Sequence, residues 1–189
     1  MPQQRTVTPG YTVVFPNREK AASKAMKLVV ALVLLASVAL ILVVTIGGWS
    51  QLEGMKPLNF FWCIAYLLIA FYVFARWSRG MLPIAAGLAI LLMMVALVAG
   101  IGLGGTSWFD RSHAGFAQAQ SMLGGKGLSA DTLGAVTLLL IPVQLLLILV
   151  ALGAFAQAWN VEQEIPIDEA RRRGYNPPEP PRSGAPATA

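Results

Sequence analysis

Four long runs of the chain, 28–52, 57–75, 80–109 and 132–161, contain no Asp, Glu, Lys or Arg, and the charged residues gather between and outside them. A hydrocarbon layer ~30 Å thick is crossed by about 20 helical residues rising ~1.5 Å each. Each run supplies close to that number. Packed into a water-soluble protein, four such helices would leave no amphipathic layer to face solvent. The pattern predicts an all-α integral membrane protein with spans at about 28–48, 58–75, 81–103 and 133–157. The four-helix domain then covers 28–161, with an N-terminal segment over 1–27 and a Pro-rich tail over 162–189. The first run follows a long polar segment and lacks a small-residue cleavage site, so a cleaved signal peptide is not expected.

Composition agrees: of 189 residues, 56% are hydrophobic and 12% charged, against roughly 25% charged in an ordinary soluble domain. The net charge of +5 invites a nucleic-acid reading, but the cations flank the spans instead, and no nucleic acid is expected as a partner. Eleven of the fourteen Lys and Arg fall on the first, third and fifth soluble segments, Arg76 and Arg79 among them, and only Lys56, Arg111 and Lys126 on the others. Cations close to a span stay on the cytoplasmic side, which predicts both termini inside. All five tryptophans lie near span ends, where an indole satisfies an apolar body and a polar N–H together. Trp49, Trp62 and Trp108 are expected at the outer interface, and Trp77 and Trp159 at the inner one.

Within the spans, small and polar residues reveal the face that packs on other helices. Thr137, Gln144, Ala151 and Ala158 recur every seven residues in the fourth run and line one side. Gln144 is the most polar residue in the middle of any span, and an unpaired amide in lipid costs several kcal/mol. Pro142 cannot donate to Leu138, so a bend there would free a carbonyl beside the amide. A structural interhelical hydrogen bond is favoured over a ligand contact. In the third run Ala96, Gly100 and Gly104 form a small-residue stripe with GxxxG spacing, which marks either a close helix contact or a frayed helix end. Met93, Met94, Phe71, Tyr72 and Phe74 are read as lipid-facing or packing residues, and Cys63 and Tyr66 as packing residues.

The longest external segment carries Phe109, Phe116, Ala119 and Leu123 at helical spacing, with Asp110 or Ser112 as a start and Gly124 and Gly125 as a stop. It predicts a short amphipathic helix on the outer surface, over the headgroups or a partner. Asn17 is expected to cap a helix that continues into the first span, while Thr12 to Phe15 offer an extended contact for a partner. The tail turns acidic and then basic before its prolines, and is expected to be extended unless a partner orders it.

The candidate chemistry is thin. One histidine, His113, supplies neither the pair that a transmembrane haem needs nor a zinc set. No GxxxxGK[ST], GxSxG, CxxC or HExxH occurs, which removes the first residues of the familiar nucleotide, acyl-transfer, redox and zinc-protease readings. No catalytic, cofactor or metal residue is therefore assigned. Neither buried ionisable residues nor inverted repeats, the marks of a carrier, are visible. The expectation is a non-catalytic accessory subunit of a multi-subunit bacterial inner-membrane complex, a respiratory or electron-transfer assembly foremost. Its partners would be other membrane subunits and phospholipids. In architecture alone the chain resembles the small four-helix subunits of actinobacterial oxidases, with no shared motif. A small homo-oligomeric transporter or channel is the alternative, and a lipid- or quinone-using membrane enzyme the third.

Overall fold

The computed structural model describes residues 8–52, 54–101, 108–109 and 119–176. In chain order the elements are β1 (Tyr11–Val14), α1 (Pro16–Glu19), α2 (Ala21–Gly47), α3 (Lys56–Arg76), α4 (Met81–Ile101), α5 (Ala130–Ala156), β2 (Gln163–Pro166) and α6 (Ile167–Arg172). Helices α2 to α5 are each long and apolar enough to cross a membrane. Their outward faces carry bare apolar side chains such as Leu32, Ile64, Phe71, Met94 and Leu149. Surfaces of that extent belong in lipid or against protein. The chain is a multi-pass membrane protein.

Local chemistry sets the helix limits. Pro57 in the first turn of α3 has its φ pre-set for a helix and lacks only an N–H that would have no partner there. At the other end Trp77 adopts a left-handed φ of 53°, and its N–H returns to the Tyr72 carbonyl, closing the helix before the short turn to α4. Ser129 caps α5, its Oγ accepting from the Thr132 N–H at 3.2 Å, with Asp131 in the first turn facing the positive end of the helix dipole. At 27 residues, α2 is ~40 Å long and exceeds the hydrocarbon layer by ~10 Å. It starts at Ala21, ahead of the apolar run, after a break at Lys20 that separates it from α1. Asn17 thus lies inside α1 and does not cap a continuous helix.

The helices form an uneven bundle. α5 packs most closely on α4, α2 lies against both α5 and α3, and α3 meets α4 only slightly. The close approach of α4 and α5 depends on Gly100: a Cβ there would lie 2.6 Å from Leu138 Cγ and Cδ2. Ala96 is likewise buried. Gly104, the third position of that stripe, lies outside the described residues.

Most of the segment expected to be an outer amphipathic helix also lies outside them. Its described end is a tight hairpin, with Gln120 bridged to Lys126 and the turn made by Gly124 and Gly125 at φ 91° and 82°. This hairpin caps α2. Met122 N–H donates to the Ile46 carbonyl at 3.0 Å and Leu128 N–H to the Gly47 carbonyl at 2.9 Å, so two carbonyls at a helix end find partners.

At the opposite end of the bundle β1 and β2 pair antiparallel, with Thr12 opposite Ile165 and Val14 opposite Gln163. Val14, Ile165 and Ala170 bury a small apolar cluster against Tyr175. The extended contact expected of Thr12 to Phe15 is made, over Tyr11–Val14, with the chain's own Gln163–Pro166, and α6 follows in the acidic part of the tail. The prolines at 177–181 lie outside the described residues.

Gly100→Val should crowd Leu138 and destabilise the protein by about 1–3 kcal/mol, the usual range for overpacking. Adding Leu138→Ala should recover part of the loss, read as thermal unfolding in detergent.

Candidate functional site

The centre of the bundle holds one polar relay. Tyr66 on α3 donates its hydroxyl to Gln144 Oε1 at 2.8 Å, Gln144 Nε2 on α5 donates to Ser37 Oγ at 2.9 Å, and Ser37 on α2 donates to the Val33 carbonyl at 2.9 Å. All three side chains have zero exposed surface. Donors and acceptors run in one direction and end on a backbone carbonyl, which already accepts in the helix and has a second lone pair free. Three helices are thereby held in one register. Pro142 points outward from α5, and the Gln144 amide is bonded to Tyr66 and Ser37, not to a carbonyl released by the proline. Thr137 and Ala151 are buried on the Gln144 side, with Thr137 Oγ1 donating to Leu133 O. Ala158 lies beyond the end of α5 at φ 50°.

A second cluster closes the end where the chain's two flanks meet. Trp77 and Trp159 pack edge to face, with centroids 5.3 Å apart and planes at 87°. Lys27 Nζ sits 4.0 Å above the Trp77 ring. Arg79 Nε donates to the Phe155 carbonyl at 2.9 Å and its Nη1 to Asn160 Oδ1 at 2.9 Å, placing a cation at the negative end of α5. Asn17 Nδ2 and Arg18 Nε donate to the carbonyls of Ala158 and Trp159. Burial lowers the Arg18 guanidinium from its ordinary value while Glu162 opposes the shift; the group stays charged. Arg76, by contrast, is exposed in the last turn of α3.

The tryptophans separate into two sets. Trp159 is fully enclosed and Trp62 is buried, its Nε1 donating to the Leu88 carbonyl at 3.4 Å. Trp49, beside Phe60 and under Lys56, and Trp108 keep exposed surface, as Trp77 does in part.

Because α3 and α4 diverge, a cavity of about 380 Å³ opens between their halves nearest the hairpin. Ile41 and Val44 of α2, Asn59 of α3, Leu92, Ala96 and Ala99 of α4 and Thr137 and Leu140 of α5 line it, with Phe109. Among the described lining residues only Asn59 and Thr137 carry side-chain amide or hydroxyl groups. Asn59 Nδ2 donates to Thr45 Oγ1 at 2.9 Å, and Thr45 donates to Ile41 O at 2.7 Å.

Sequence reasoning found Gln144 and missed its partners. Ser37 and Tyr66 sit near mid-span like Gln144, and that shared depth is the signal that would have joined them. His113 lies outside the described residues. Comparison with protein-family models, characterised proteins and solved structures finds no match for this chain.

Tyr66→Phe and Gln144→Leu should each destabilise the fold, and the double variant should lose less than the sum. A double-mutant cycle should return a coupling of about 0.5–1.5 kcal/mol, the scale of hydrogen bonds between membrane helices.

Proposed function

We propose that this chain is a non-catalytic accessory subunit of a multi-subunit bacterial inner-membrane complex, with a respiratory or other electron-transfer assembly as the host to test first. The observation that carries the reading is the closed relay of Tyr66, Gln144 and Ser37, in which each central polar group is bonded to the protein itself. A polar route for a solute needs groups that open to water or substrate, and a catalytic site needs groups left to react. The relay serves shape, fixing α2, α3 and α5 so that their outer faces meet lipid and neighbouring subunits in one arrangement. Exposed aromatic and aliphatic residues on α3, including Phe61, Leu68 and Phe74, supply a face for such neighbours.

The proposed orientation places both chain ends in the cytoplasm. Arg18, Lys20, Lys24, Lys27, Arg76 and Arg79 all belong to the end of the bundle that carries β1 and β2, and a bias of this kind is retained inside. Anionic phospholipids then lie against the same cations at about 1 kcal/mol each.

A mild-detergent pull-down on the C-terminus, followed by mass spectrometry and a visible spectrum of the eluate, tests the reading. We expect unrelated membrane subunits in stoichiometric amounts, with haem absorption if the host transfers electrons. A colourless preparation of this chain alone would overturn the accessory role. Gln144→Leu separates the readings further: weakened assembly without a change in solute flux is expected, and lost flux with assembly intact favours a transporter.

A further inference from the structure

We infer that the seam between the start of α2 and the end of α3 binds one anionic phospholipid, with its phosphate on Lys27 and an acyl chain along α3. Lys27 Nζ lies 4.0 Å from the centroid of the Trp77 ring and 4.8 Å from that of Phe74, so two aromatic rings hold the ammonium where the helices meet. The rings attract the charge but give its N–H donors no oxygen to bond. Among the described residues no carboxylate pairs with it: Glu19 is engaged by Lys24 at 2.8 Å, and Glu169 by Arg173. The ammonium is fixed in place and lacks an anion.

Depth decides what supplies one. Lys27 is the last charged residue before the apolar run that opens at Leu28, and Phe74 stands one position from the end of the run over 57–75. An ammonium at that boundary meets the phosphate layer of a bilayer. From there Phe74, Phe71 and Leu67 follow at three- and four-residue spacing on α3, all exposed. They form an apolar stripe that leads from the ammonium into the span, the path of an acyl chain.

Charge chooses the head. Lys24 and Lys20 stand about one and two helical turns before Lys27, and Arg76 is exposed at the end of α3. Glu19 is the only carboxylate in residues 1–27. A choline or ethanolamine head would bring a further cation into this group, whereas a glycerol head brings none, so the lipid is of the phosphatidylglycerol type. This narrows the proposed contact of anionic phospholipids with this end of the bundle to one residue and one lipid, and rests on that reading for the side of the membrane.

The purified full chain in detergent is titrated with phosphatidylglycerol or with phosphatidylcholine of the same acyl chains, and retained lipid is counted by native mass spectrometry. The result depends on neither partner subunits nor membrane side, so its failure is separate from theirs. One phosphatidylglycerol per chain is expected at a concentration roughly tenfold below that needed for phosphatidylcholine. Lys27→Gln should weaken retention about fivefold, the worth of one cation beside an anionic head, and Lys27→Arg should keep it. Lys20→Gln removes an exposed cation about a Debye length away and should change retention by less than about twofold. Equal retention of the two lipids by the unaltered chain overturns the site, whatever the variants do. Equal losses in Lys27→Gln and Lys20→Gln assign the preference to diffuse surface charge and overturn it as well. Displacement of the lipid by soluble glycerophosphate at matching concentration makes this a free-phosphate site. Retention that rises on removal of 177–189 names the chain's own carboxylates as the anion, and either result overturns the lipid.

Discussion

Water is missing from the hydrocarbon layer, and a polar group placed there must find its partner inside the protein. The bundle is organised around that constraint. Tyr66, Gln144 and Ser37 come from three helices far apart in the chain, and each would be costly alone. Together they form one directed series that ends on the Val33 carbonyl. The same rule operates at the ends, where the hairpin supplies N–H groups to the last carbonyls of α2, and Arg79, Asn17 and Arg18 supply donors around the end of α5. Helix packing then follows from small residues where backbones approach, as at Gly100.

The four helices long and apolar enough to cross a membrane were legible because they depend on one property, the length of apolar runs, which a single sequence displays directly. Gln144 was legible for a related reason, since an amide at that depth demands a partner. The identity of the partner was not. Tyr66 is 78 positions away, and an isolated tyrosine in an apolar run looks like any other packing residue. The tryptophans show the same division. Their nearness to span ends was visible, but burial of Trp62 and Trp159 depends on which helix stands beside them. The pairing of β1 with β2 was hidden too, because each strand has only four residues and its apolar positions find their cover only in the other.

The cavity arises from the same unevenness. A bundle whose four helices met equally would have no gap near the hairpin. Here α5 holds α4 closely through small residues while α3 is held mainly by α2, and the two outer helices part from each other. The relay ties α3 to α5 across the middle, Tyr66 being bonded to Gln144. Central closure and the lateral opening are thus two results of one arrangement.

The small sheet has a consequence for the order of assembly. Tyr11 is made before any of the four long helices, but its opposite number, Pro166, only after all of them. Segments so far apart in sequence must diffuse together before any contact rewards them. β1 therefore remains an open edge until the last helix is in place with its end on the matching side. Pairing acts as a latch that closes only on a completed topology, and a chain stalled or inverted at any span would leave an unpaired strand for the cell's proteases to find.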